Sequence, residues 1–329
     1  MPKKIEISHR TIIFTIFFLL LLWLLFQIRQ ILIVLFVSLV FMSAFNPTVN
    51  RLERFKIPRF LAIFVIYLLV FGVFALIIAG IIPSLVDQTA ILISRLPQYT
   101  QSLGLPAFDH NFIAAQLNQL GSLPANLLKI TIGVFNNLLG LFILAVITFY
   151  LLIERKNLDR YLLFLFGPNG EKKAKKFVDE LEKKLGSWVR AQLALMVIVG
   201  LMSYLGLRLL GIDFALPLAL LAAILEIVPN IGPTIAAIPA VLAGLAISPL
   251  MGLAVLALYF LIQQIENTFI VPQVMAKGIG LNPLITIIAL AIGFKLAGVV
   301  GALLAIPVVL LIQVVASEFF PFIKNLESL

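Results

Sequence analysis

Long apolar runs separated by short polar stretches set the rhythm of this chain. Residues 11–28, 31–46, 60–82, 130–153, 190–210 and 250–271 are each close to the length of a helix that crosses roughly 30 Å of hydrocarbon, the second being short. Two further runs, 214–248 and 283–316, are about 35 residues each, too long for one crossing and short for two. Each is broken by residues that interrupt helices: Pro229, Asn230, Gly232 and Pro233 in the first, Gly293, Lys295 and Gly298 in the second. Each run therefore reads as a helical hairpin whose two arms join near the middle of the bilayer. The expected fold is an all-α polytopic membrane protein with about eight transmembrane helices, two of them broken or re-entrant hairpins.

Helical spacing continues between the spans. An outer insert, 83–129, places Leu85, Leu92 and Leu96 on one face and repeats the pattern from Phe112 to Leu128, which predicts amphipathic helices. An inner insert, 154–189, carries Phe177, Leu181 and Leu185 at i, i+4 and i+8 beneath a face of alternating charge. That pattern predicts a basic amphipathic helix resting its apolar side on the membrane interface and offering lysines to anionic lipid.

Composition confirms the solvent. Hydrophobic residues make up 62% of the 329 and charged ones 12%, with mean hydropathy +1.14, whereas soluble domains carry about a quarter charged residues. The absence of cysteine rules out disulfides, thiolate nucleophiles and Cys-ligated metal. Neither His9 nor His110 has ligand companions in sequence, so no metal or other cofactor is expected. GPNGEKK (167–173) lacks the glycine register and the Lys-Ser/Thr ending of a phosphate-binding loop. Lys and Arg concentrate at the N-terminus, in RLERFKIPR (51–59) and in residues 154–190, which hold ten of them. The retained-positive bias then places both termini on the cytoplasmic side and the 83–129 insert outside. The net charge of +9 is this bias, and no nucleic-acid motif accompanies it.

The two hairpin runs echo each other. AIPAVL (237–242) matches AIPVVL (305–310) at an offset of 68, and Glu226 and Lys295 precede the second-arm prolines Pro239 and Pro307 by 13 and 12 residues. Entering from opposite faces, the runs would form an inverted repeat whose tips meet at a central site, as in transporters with broken helices. Ionised groups in hydrocarbon cost several kcal/mol, from about 2.5 upward, so Glu226 and Lys295 either neutralise each other or serve a transported proton or cation. In QQIENTFIVPQ (263–273), Gln263, Glu266 and Asn267 fall on one helical side with Gln264 beside them, and Pro272 is expected to end that helix. Asn230 joins them as a candidate for transport or ion binding.

These stretches carry a family resemblance. EIVPNIGPTIAAIPAVL, QQIENTFIVPQVMAKGIGLNP and LAGVVGALLAIPVV, with NPTVNRLERFKIPR nearer the N-terminus, resemble the autoinducer-2 exporter family of prokaryotic transporters. The resemblance implies gradient-driven export of a small polar solute such as the signal autoinducer-2, or sodium or lithium/proton antiport. It also implies a homo-oligomer, with a pentamer as the expected number, in a prokaryotic plasma membrane. Carried over position by position, Pro229, Gly232, Pro233 and Pro239 shape the first hairpin. Gln264, Glu266, Pro272, Lys277, Asn282 and Pro283 belong to the motif before the second, which Gly298 and Pro307 shape. Glu226 and Lys295 depart from the family pattern and favour an ion-coupled branch. The chain then divides into a three-span unit (1–82), an extracytoplasmic insert (83–129), a fourth span (130–153), a cytoplasmic insert (154–189) and a transport core (190–329). A non-transporting membrane scaffold is the rival from another class, separable because it would depend on residues 170–186 rather than on the hairpin tips. An enzyme is not expected, since no HExxH motif, paired intramembrane Asp or serine dyad is present.

Overall fold

A computed structural model describes residues 9–73, 75–76, 79, 138–229, 231–245, 247–275 and 282–319. The outer insert 83–129 lies outside the described residues. Those described are helical throughout, with no strand among them. In chain order the helices are α1 (His9–Gln27), α2 (Arg29–Arg54), α3 (Arg59–Val73), α4 (Leu138–Glu154), α5 (Leu158–Leu209), α6 (Ala215–Leu225), α7 (Ile231–Leu245), α8 (Pro249–Ile265), α9 (Val271–Met275) and α10 (Pro283–Phe319). Five described segments are long and apolar enough to cross a membrane: His9–Gln27, Arg29–Arg54, Gly170–Leu209, Pro249–Val274 and Leu284–Glu318. The arms α6 and α7, 11 and 15 residues long, fall short of a crossing.

Both over-long runs reverse where the breakers sit. Between α6 and α7 the chain turns through residues 226–229. A Cβ on Gly232 would stand 1.9 Å from the Leu225 carbonyl oxygen, so only glycine permits the second arm to start that close to the end of the first. In α10 the helix breaks at Ala297 and Gly298, where Gly298 takes φ 60°. The arms on either side fold together: Leu290, Ala302 and Ala305 share one buried cluster. A Cβ on Gly293 would meet the Gly301 carbonyl oxygen at 2.3 Å, and one on Gly301 would meet that of Gly293 at 2.0 Å. Small residues allow this backbone approach, which replaces a hydrophobic driving force that lipid cannot supply.

The inner stripe departs from its expectation. Leu181 and Leu185 are buried with Trp188 and Ala191 against Val40 of α2 and Ile306, Leu310 and Val314 of α10, with Phe177 alongside, rather than resting on the membrane interface. An apolar stripe specifies an apolar contact but not whether protein or lipid supplies it, and here the protein does. The helix carrying the stripe also runs unbroken into the following span, making one long arm, 168–209, preceded by a short arm, 158–166. They meet at Gly167, whose φ of 65° and ψ of 178° bend the chain before Pro168. The bend is sharp enough for Lys175 to bond Asp159.

A polar network fastens these parts together. Arg59 donates to the Leu152 carbonyl at 2.7 Å, Asn50 Oδ1 at 2.8 Å, Glu53 Oε2 at 2.7 Å and Asn46 Oδ1 at 2.8 Å. Asn46 Nδ2 donates to Glu182 Oε1 at 2.5 Å, and Arg155 bonds Glu182 at 2.6 Å and Asp179 at 2.5 Å. Partial burial works against the Arg155 charge, but Glu182 and Asp179 outweigh it and hold the guanidinium above its usual pKa. One continuous set of charge-assisted bonds thus joins the ends of α2, α3 and α4 to the long arm of α5.

Candidate functional site

The first hairpin delivers Glu226 to the interior. It caps the C-terminal end of α6, its backbone N–H bonded to the Ala222 carbonyl at 3.0 Å, and the residue is 0% exposed. Glu266 arrives from another direction, at the end of α8, and is 1% exposed. The two carboxyl groups lie within hydrogen-bonding reach of each other. Neither forms an ion pair with any described residue. Both Glu226 oxygens and Oε2 of Glu266 lack a hydrogen-bond partner. Two ionised carboxylates are both acceptors and cannot bond each other directly; a shared proton or an intervening cation is the chemistry that would join them.

A third side chain, absent from the sequence expectations, completes the group. Gln192 on α5 is 3% exposed and donates from Nε2 to the Glu226 main-chain oxygen at 2.5 Å, which leaves its Oε1 buried without a partner. Further along the same faces, Ser203 of α5 and Tyr259 of α8 form a second buried polar layer in which neither hydroxyl has a hydrogen-bond partner. The apolar Val199 and Ile262 are buried on these faces between the two layers. Intramembrane glutamine within AQLALM was the available signal for Gln192; nothing local distinguished Ser203 or Tyr259 from helix-lining residues.

The remaining candidates separate. Gln263 is half-buried with Nε2 unpartnered, whereas Gln264 and Asn267 are exposed. Residues Glu266–Ile270 form a π-turn, which widens the helix and rotates positions beyond it, and Glu266 is buried where Asn267, its neighbour, is exposed. That turn also keeps Pro272 from ending the helix: the chain continues through α9 to Met275. Lys295 is exposed on the second hairpin and forms no ion pair with Glu226, so the expected acid–base neutralisation does not occur. The tips do meet, through Val228, which packs against Leu290, Ala302 and Ala305 of the second hairpin. Pro229 and Pro233 are buried at the first turn, and Pro307 is buried in the second arm of α10. Asn282 accepts from the Leu284 N–H at 2.9 Å and so helps start α10 at Pro283. Asn230 and Lys277 lie outside the described residues. Among the described residues no group of three or more His, Asp or Glu side chains is gathered for a metal.

Comparison with known proteins follows the same map. Residues 12–320 match the family described as AI-2E family transporter. YrrI of Bacillus subtilis (strain 168), named only as a candidate transport protein, is 26% identical over 325 residues, covering 93% of this chain and 92% of its own. YueF of the same organism, named in the same way, is 30% identical over 308 residues, with 87% and 82% covered. The AI-2 transport protein TqsA of Escherichia coli (strain K12) is 26% identical over 305 residues, with 87% and 86% covered.

Proposed function

The chain belongs to the AI-2E family of membrane transporters, and on that footing we propose that it moves a small polar solute outward, driven by an ion gradient, with the Glu226–Glu266 pair as coupling site. The observation carrying this reading is the pair itself: two fully buried carboxyls side by side, three of their four oxygens unpartnered, and no basic side chain among the described residues paired with either. Two negative charges at that separation in a weakly polarisable interior repel strongly, so the closed arrangement needs a bound proton or monovalent cation. Releasing the ion restores the repulsion and favours movement of the hairpin tip, which ties ion occupancy to access. The unpaired Gln192 Oε1 and Gln263 Nε2 offer an acceptor and a donor suited to a hydroxyl-bearing solute. The name of TqsA supports an autoinducer-2-like solute. In this reading the two hairpins are re-entrant, entering from opposite faces as an inverted repeat. Gln264, Asn267 and Lys295 join the route only when the hairpins move.

Sodium or lithium/proton antiport is the second reading, favoured by the chemistry of the same cluster: carboxylate and amide oxygens are hard ligands for small cations. Flux in vesicles of purified protein decides. Glu226→Gln and Glu266→Gln are each expected to cut gradient-driven flux by about tenfold or more, within the usual range of coupling free energies. Unchanged flux with unchanged ion dependence in both variants would remove the site. Cation uptake against a proton gradient with no organic solute present would select antiport.

A further inference from the structure

The short arm of α5 presents apolar surface where no span accounts for it. Phe164, Leu165 and Phe166 are 87%, 69% and 58% exposed, and Tyr161 and Leu163 are exposed beside them. The arm begins at Leu158, four residues after α4 ends at Glu154. Its start thus lies within about 14 Å of the end of an apolar helix. Four consecutive exposed large side chains, 163–166, point around most of a helix circumference at 100° per residue. A protein partner covers a stripe; a surrounding apolar medium covers a circumference. The arm is also flanked by unusual positive charge. Lys172, Lys175, Lys176, Lys183 and Lys184, with Asp179 and Glu180 among them, line a groove of ≈ 670 Å³ on the long arm, a lining in which the five cations outnumber the two acids. The bond from Lys175 to Asp159 holds that groove beside the arm. Tyr161 donates from its hydroxyl to Glu154 at 3.0 Å, the amphipathic placement an aromatic side chain takes at a membrane boundary.

We propose that residues 158–166 lie in the membrane–water boundary and that the adjoining lysine groove binds the headgroup of an anionic phospholipid. The arm supplies apolar insertion and the lysines supply charge, the two components such interfacial binding requires. This site is separate from the acid pair, and it shifts lipid contact from the Phe177–Leu185 stripe, which the protein buries, to the segment before the Gly167 bend.

The chain contains no cysteine, so Phe164→Cys provides a unique attachment point for a bimane fluorophore in the full-length protein. In vesicles carrying brominated phosphatidylglycerol or brominated phosphatidylcholine, the label is expected to be quenched, more strongly by the anionic lipid. Lys172→Gln and Lys176→Gln should each reduce that preference by up to about fivefold, the share of one lysine near an anionic surface. Leu165→Cys gives an independent reading should the first variant fail to fold. A label quenched by neither lipid, because water or a second copy of the chain surrounds it, would overturn the proposal. So would equal quenching by both headgroups, or a preference that neither lysine substitution alters.

Discussion

Gln192 shows how much one side chain can carry inside a membrane. Its amide donates to the main-chain oxygen of Glu226, so it fixes the turn that holds the acid as well as lining the space beside it. Gln192→Leu is expected to leave that carbonyl unsatisfied, at a cost of about 1–3 kcal/mol. A lowered unfolding temperature in detergent together with reduced vesicle flux would show it, and unaltered values in both would deny Gln192 its positioning role. Sequence reasoning singled out Glu226 and Glu266 separately because each is a carboxylate in an apolar run. It could not join them: they are forty positions apart, and like charges are not what local patterning pairs. Opposite charge suggested Lys295 instead, and the fold leaves that lysine on an exposed face. Chemistry at a single position was legible, whereas proximity was not.

At the scale of elements, the breakers were the most informative letters in the chain. Proline and glycine act locally, so reversals near 229–233 and at Gly298 could be placed without knowledge of any neighbour. What patterning could not give was helix register past the π-turn at Glu266–Ile270, or the partner of the Phe177–Leu185 stripe. The second hairpin depends on contact between the Gly293 and Gly301 backbones. Gly301→Ala should force them apart and destabilise the protein by about 1–3 kcal/mol, the usual cost of overpacking. Gly140→Ala, where an added Cβ meets nothing within 4 Å, serves as the comparison and should not lower stability. Thermal unfolding of both in the same detergent distinguishes them.

Across the whole molecule, the N-terminal helices are fastened to the long arm of α5 by the Arg59–Asn46–Glu182–Arg155 network and by the apolar cluster that Val40 shares with Leu181, Leu185 and Ile306. Arg155→Met would strand Glu182 and Asp179 without their guanidinium. A loss of about 2 kcal/mol is expected from removing charge-assisted bonds at partly buried groups, and chemical denaturation measures it. Composition and span lengths made the polytopic class legible, because the bilayer imposes the same length on every crossing. The network was not legible, since its members come from four distant segments. It ties the ends of α2, α3 and α4 to α5 through charge-assisted bonds, and neither arm of the first hairpin contributes to it.

Val228 links the two hairpins. It stands two positions from Glu226 and packs against the cluster of Leu290, Ala302 and Ala305, so displacing the first hairpin's tip disturbs the second hairpin as well. In the proposed mechanism, passage by the acid pair requires this contact to open and close again, a collective rearrangement on the microsecond-to-millisecond scale or slower. Planar-bilayer recordings should therefore show no unitary currents under any gradient, and a discrete conductance step would mean the contact stays open during turnover. A ferry that must dock at each bank moves passengers one crossing at a time.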